Sequence, residues 1–282
     1  MLNLRMHMGL RKIAFIGLLL FNGVAFGQDE PINQTDSKGR KQGKWIKNHD
    51  KSEVPRYIGQ FKDDKPYGEF RYYYESGHIK SQMFFSKDGK SSRATIFYED
   101  GKKMSYGRYS NQKKDSVWTH YDVAGWVSMR ETYTIDKLNG KVTVYYAPAK
   151  GKADAVAQEF NYKAGLKHGE WKRFFESGTT MVSGTYKDGV LDGIVTYFTV
   201  DGKREVTETY WKGRLHGPRI QFENNVETSR TYYQDDKKLE GKDLEEFLRK
   251  EKEAKDKYYQ NQKGGNQKKT TNGTTNGTKK GN

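Results

Sequence analysis

Residues 162–186, YKAGLKHGEWKRFFESGTTMVSGTY, and residues 186–210, YKDGVLDGIVTYFTVDGKREVTETY, both begin and end on tyrosine. Each has glycine at its eighth place (Gly169, Gly193), an aromatic at its thirteenth (Phe174, Phe198) and glycine at its seventeenth (Gly178, Gly202). Self-similarity at a fixed period of roughly 20 to 50 residues marks a repeat architecture. The closing aromatics keep the beat along the chain. Phe61, Phe85, Tyr109 and Tyr133 lie 24 residues apart, and so do Tyr162, Tyr186 and Tyr210 after an insertion. Tyr233 follows one residue early, where the turn shortens to ENNV, and a partial unit, GRKQGKWIKNHD, precedes Phe61. About eight units therefore fit between Lys38 and Tyr233.

Within a unit the layout reads glycine, strand, turn, strand. The first glycine is Gly43, Gly68, Gly140, Gly169, Gly193 or Gly217, with Ser92 and Ser116 in its place in two units. A large residue comes two places later (Trp45, Phe70, Trp118, Val142, Trp171, Val195). An aromatic comes five places after the glycine (Tyr73, Phe97, Tyr121, Tyr145, Phe174, Phe198, Phe222). Turns such as ESGH and EDGK follow, where glycine tolerates the positive φ a hairpin needs. A loop such as KDGVLDG then leads to the next unit.

Two strands of about seven residues and two turns of four or five make up such a unit. Helices fit badly, because a glycine interrupts every eight to ten residues. The expectation is an all-β, elongated antiparallel β-meander of hairpin repeats, twisted and roughly 75 Å long. Single hairpins are marginal in water, so the units must stack, with aromatic ladders running across the strands.

The pattern YKDGxxxGxWxxYYxxGxxxxxxxY, clearest over 162–210, resembles the MORN repeat. It is closer to the bacterial MORN-variant repeat of exported repeat proteins and of YwqK-type antitoxins. The resemblance spans about 38–234. It weakens over 85–133, where serine replaces glycine, and breaks at 147–159, APAKGKADAVAQE. It implies a binding or scaffolding fold and leaves the partner open, since function resides in sites rather than folds.

Composition agrees with a thin sheet. Of 282 residues, 33% are apolar and 14% aromatic, with 20 Tyr and 30 Gly, and mean hydropathy is -1.04. Such aromatic content argues against disorder across the middle of the chain. Arg11 and Lys12 precede an apolar run at 13–26, ending in Ala25, Phe26 and Gly27. This reads as a signal peptide over 1–27, with the mature chain beginning at Gln28. The run is shorter than the roughly 20 residues of a membrane span, and a retained anchor is the alternative. The protein has no cysteine. An N-terminal linker at 28–37 leads into the repeat domain, 38–240. A charged helix is expected over 241–257, with Leu244, Phe247 and Leu248 as its apolar stripe. Residues 258–282 read as a disordered basic tail containing two weak sequons at Asn272 and Asn276.

Net charge is +15, of which three charges fall in the leader and five in the tail. The remainder is scattered through turns of mixed sign, which favours solubility over nucleic-acid binding. No cofactor, metal or catalytic residue is expected. His168 and His216 recur just before the first glycine, about 19 Å apart at strand spacing, too far to share a metal. No phosphate loop or nucleophile elbow is present, and Asp63, Asp64, Asp235 and Asp236 read as solvated turn acids.

Aromatics fall on both sheet faces, with Phe70, Tyr72 and Tyr74 on one and Tyr73 on the other. Their main expected role is packing. Tyr72, Tyr74 and Tyr197 are the binding candidates, because exposed aromatic patches mark interfaces. The expected function is non-enzymatic: an exported surface, periplasmic, cell-surface or secreted, that binds a protein. Envelope glycan, or an anionic membrane surface met by the basic tail, stands second. An antitoxin or immunity protein binding one toxin is the alternative the resemblance implies. Oligomeric state is left open.

Overall fold

The computed structural model describes residues 31–148 and 155–270; the leader, the centre of the insertion and both sequons lie outside them. Among the described residues nineteen strands form one sheet, each pairing with its neighbours in sequence except that Val190–Leu191 and Gly193–Phe198 both pair with Thr180–Lys187. Eight hairpins make up the body. The first four are Lys41–Asn48 with Pro55–Lys62, Lys65–Tyr73 with Ile79–Phe85, Ser91–Phe97 with Lys103–Ser110, and Lys113–Tyr121 with Val127–Thr134. Lys137–Tyr145 with Val156–Lys163 carries the insertion at its tip. Leu166–Phe174 with Thr180–Lys187, Gly193–Phe198 with Arg204–Trp211, and Arg214–Glu223 with Val226–Gln234 complete the series. The all-β meander and its eight units match the expectation from the periodicity.

The connection between units differs from the expected loop. KDDK and its equivalents are two-residue turns, with φ of 53° and 64° at Asp63 and Asp64, and 50° and 93° at Asp188 and Gly189. Positive φ at both central residues matches the right-handed twist of the flanking strands. The first strand of a unit therefore starts about three residues before the first glycine, which lies inside it. In register, Phe61 pairs with Pro66 and Gln60 with Tyr67, but Ile58 pairs with Arg71. Two extra residues thus enter the strand at Gly68, whose φ is +65°. This bulge recurs along the sheet and adds twist.

Ser92 and Ser116 depart from glycine for different reasons. Ser116 keeps the bulge and the left-handed conformation, at φ 63°. Ser92 sits in an unbroken ladder running from Phe85↔Ser92 to Ser81↔Ile96. There the two extra residues have moved into the connection, lengthening it to SKDGK at 86–90.

Both ends of the sheet are modified. The expected linker at 28–37 contains a strand, Gln34–Thr35, that pairs with Gln42 and Lys41. At the far end Lys237 and Lys238 pair with Gln234 and Tyr233, as a ninth unit would. The chain then leaves the sheet, and Gly241, at φ +51°, opens a helix. That helix, Gly241–Thr270, continues well past the expected end at 257 into the segment read as disordered. Its lysine-, glutamate- and glutamine-rich sequence favours helix, aided by the i,i+4 pairs Glu246–Lys250 (2.7 Å) and Arg249–Glu253 (3.0 Å). Of the expected apolar stripe, Phe247 is buried and Leu248 exposed. Phe247 meets His216 at 5.7 Å and Tyr232 at 6.2 Å between ring centres, which docks the helix on the last hairpin.

Candidate binding surface

The closing aromatics and the large residues two places after the first glycine share one face. Phe61 meets Trp45 at 6.1 Å and Phe70 at 5.2 Å, and Phe70 meets Phe85 at 5.1 Å, all edge-to-face. Farther on, Tyr109 meets Trp118 at 4.9 Å, and Phe160 stacks on Trp171 at 6.1 Å. Edge-to-face and offset pairs of this kind each contribute about 0.5–1.5 kcal/mol beyond burial.

Although only one sheet is present, Trp118 is 0% exposed and Phe70 2% exposed. The reason is a glycine on the preceding strand. A Cβ at Gly59 would lie 2.2 Å from the Phe70 ring, and one at Gly107 2.2 Å from the Trp118 ring. Each large ring leans across the bare backbone of its neighbour. Gly184 serves Trp171 and Val195 in the same way. None of these three glycines was singled out from the repeat pattern. They stand two places before the closing aromatic and eleven before the ring or branched side chain they receive (Phe70, Trp118, Val195), a pairing visible only when the units are compared column by column.

Lysines complete the row. Lys41 lies over Trp45 (4.7 Å) and Phe61 (4.8 Å), Lys114 over Trp118 (4.6 Å) and Tyr133 (4.8 Å), and Lys167 over Phe160 (4.2 Å) and Tyr186 (5.0 Å). Each ammonium is held by the ring quadrupoles of two aromatics.

The row is interrupted at Ala94, the residue standing where neighbouring units place Phe70 and Trp118. It is 1% exposed and pairs with Met83 on one side and Gly107 on the other. Beside it opens a cleft of about 570 Å3, lined among others by Phe61, Phe70, Tyr72, Phe85 and Tyr109. Pro66, Lys90 and Ser92 also border it. The lengthened connection forms one wall: a Cβ at Gly89 would meet the Pro66 carbonyl oxygen at 2.9 Å. An apolar concavity with a few polar groups at its rim is the usual form of a binding site.

The three candidate tyrosines lie in different settings. Tyr72 lines the cleft and packs on Tyr57 at 6.0 Å. Burial, and then neighbouring Tyr57, push its hydroxyl pKa up. The Tyr74 hydroxyl donates to the Phe97 carbonyl at 2.8 Å. That bond recurs as Tyr98 to Tyr121 (3.0 Å) and Tyr146 to Phe174 (2.7 Å), so Tyr74 belongs to a clamp between successive units. Tyr197 donates to Glu208 Oε2 at 3.2 Å, in a cluster where Tyr210 also donates (3.0 Å) and Arg219 pairs with Oε1 (3.1 Å). The same site in an earlier unit holds Glu131, which accepts from the Tyr133 hydroxyl at 2.9 Å and lies 2.9 Å from His120 Nε2. Burial, then Glu131, push the Tyr133 pKa up to about 12.

The turn acids and paired histidines serve the scaffold. Asp64 accepts from the Lys41 N–H (2.8 Å), Asp136 from that of Lys114 (2.6 Å) and Asp236 from that of Leu215 (2.8 Å). His168 Nδ1 lies 3.3 Å from Asp188, and His216 Nδ1 3.5 Å from Asp235, each beside the next turn. Among the described residues no group of three or more His, Asp or Glu side chains is placed to hold a metal. No helix there is long and apolar enough to cross a membrane.

Comparison with known proteins bears on the repeat. No curated protein matches the chain. Among solved structures, it is similar to the crystal structure of TarM at 17% identity and a TM-score of 0.27, over 39% of this chain and 22% of that one. It is also similar to a mutant of S. aureus TarM in complex with fondaparinux, alpha-GlcNAc-glycerol and UDP, at 13% identity and a TM-score of 0.23, over 46% of this chain and 21% of that one. The chain spans about a fifth of the length of those proteins, and superpositions this weak carry nothing about its function. Residues 66–87 and 167–188 match the family described as MORN repeat variant. Those two segments fall on the hairpins from Lys65 and from Leu166, so this protein is a β-meander in which two hairpins match the MORN repeat variant.

Proposed function

We propose that the chain is an exported, non-enzymatic scaffold that binds a protein partner on the aromatic face of its sheet. The observation that carries this reading is the cleft on the aromatic face, beside buried Ala94, lined by Phe61, Phe70, Tyr72, Phe85 and Tyr109. A cleft lined by aromatic side chains within a packed row offers a partner apolar surface. The basic leader-like N-terminus and the small residues before Gln28 support export. The basic C-terminus adds attraction to anionic surroundings that salt screens over about 8–10 Å. An antitoxin or immunity protein is the special case in which the partner is one dedicated toxin.

Cross-linking in intact cells, followed by affinity capture and peptide mapping, tests the proposal. The expected result is a chain beginning at Gln28 and a protein cross-linked around the Ala94 cleft. A chain retained in the cytosol with its leader intact would refute export. Cross-links confined to the C-terminal helix would refute the aromatic face as the binding surface.

A further inference from the structure

We propose that the cleft beside Ala94 receives a bulky apolar side chain carried on an acidic segment of the partner protein. This rests on the scaffold reading and names the chemistry of the site.

Charge around the cleft is unevenly satisfied. Asp63 is held by Arg40 at 2.9 Å and Gln42 at 3.0 Å. Asp64 is held by the Lys41 N–H at 2.8 Å. Asp88 accepts from the Ser86 hydroxyl at 2.6 Å and from the Lys90 N–H at 3.0 Å. The nearby lysines Lys62, Lys65, Lys87, Lys90 and Lys113 are all exposed, and none has an ion-pair partner among the described residues. Lys62 and Lys65 are moreover direct cross-strand neighbours, an arrangement that costs stability unless an anion lies between them.

Lys90 is the most telling. It stands two places before Ser92, as Lys41 and Lys114 stand two places before Gly43 and Ser116. Those lysines rest over rings at 4.6–4.8 Å. Lys90 has lost the corresponding ring, because Ala94 occupies the place of Trp45 and Trp118. Ala94 has thus removed one of the two rings that would hold the ammonium, leaving Tyr109 in the place of Phe61 and Tyr133, and Met83 stands where a glycine would receive the missing ring. An apolar side chain flanked by carboxylates fills the cleft and pairs the ammonium.

A neutral sugar fits this site less well. Phe61, Pro66, Phe70, Met83 and Phe85 offer no side-chain hydrogen bond, and of the polar lining Ser92 is only 4% exposed and the Asp64 carboxylate already accepts from the Lys41 N–H at 2.8 Å. Interfaces of apolar anchor and complementary charge draw affinity from the anchor and association rate from the charge.

The test is selection from a random display library of peptides against the folded full-length protein, followed by fluorescence anisotropy with the selected peptides. The expected motif is Phe, Trp or Leu flanked by Asp or Glu. Replacing the anchor by alanine in the peptide should abolish binding, and so should Ala94→Phe in the protein. Because Ala94→Phe risks misfolding, the exposed double variant Lys65→Glu/Lys90→Glu gives a second readout. It should weaken binding about tenfold, with unchanged circular dichroism, and added salt should weaken the native interaction. Selection of basic or uncharged peptides, or equal binding by the Lys65→Glu/Lys90→Glu protein, overturns the proposal. Binding to phosphatidylglycerol vesicles that both variants abolish, with no acidic peptide selected, overturns it in favour of a lipid surface. If no peptide is selected while cross-linking captures a partner elsewhere on the sheet, the cleft assignment fails and the scaffold reading stands.

Discussion

Trp118 and Ala94 occupy the same position in adjacent units, yet the sheet is closed at one and open at the other. At Trp118 the ring spreads over Gly107, meets Tyr109 at 4.9 Å and carries Lys114 at 4.6 Å. At Ala94 the ladder is unbroken where that before Trp118 is bulged, Met83 stands in place of the glycine, and Lys90 lacks the ring that Lys114 finds on its own strand. Burial of Phe70 and Trp118 on this single-layer sheet therefore depends on a complementary pair: bare backbone on one strand and a ring on the next. Where Ala94 replaces the ring, Met83 replaces the glycine, the two extra residues leave the strand, and a cleft opens beside the pair.

The comparison is broken most severely at the closed site. Trp118→Ala should open a second cleft and cost about 4 kcal/mol, read as a lowered denaturation midpoint. A loss below about 1 kcal/mol would mean that the sheet, not the ring, buries this region. Gly107→Ala attacks the other half of the pair. Its methyl would meet the Trp118 ring, and we expect a loss of about 2 kcal/mol with increased indole exposure by fluorescence. The control is Gly101→Ala, which meets no atom within 4 Å but carries a φ of +84° and so isolates backbone strain from collision.

The two serine exceptions sharpen the comparison with opposite signs. Ser116→Gly relieves a left-handed conformation at φ 63° and should stabilise by about 1 kcal/mol. Ser92→Gly lies in an extended ladder and should destabilise by about 0.5–1 kcal/mol. Equal shifts of the same sign would show that the bulge has not moved into the 86–90 connection. The smallest effect concerns Tyr133, whose pKa rises to about 12 through burial and Glu131. Its folded pKa exceeds the free value of about 10, so its stabilising contribution is complete below that value. The contribution is lost as pH rises through about 12. Ultraviolet titration of tyrosinate should show several late-ionising groups, Tyr210 among them, one of which Glu131→Gln moves to lower pH.

Much of the architecture is legible in the chain. The 24-residue beat, the Asp-Gly and Ser-Gly turns and the strand-length intervals between them specify hairpins, because these signals act within a few residues of one another. The aromatic row was also legible, and Tyr72 does line the cleft. The turn KDDK was harder to read, since it lacks glycine and asparagine yet adopts positive φ at both aspartates. The extended helix escaped notice because its low-complexity sequence satisfies helix propensity as well as it suggests disorder. Tyr74 looked like an exposed aromatic, but its hydroxyl closes a contact with a unit 23 residues away.

By itself, then, the sequence determined the period, the hairpins, the meander and the residues that line its aromatic face. Only the tertiary structure decided which strand takes the bulge, which glycine lies under which ring, and where that face stays open. Hairpin formation depends on neighbours along the chain, whereas packing across strands depends on register. Two residues moved from a strand into a turn change the partners of every side chain on one side of it.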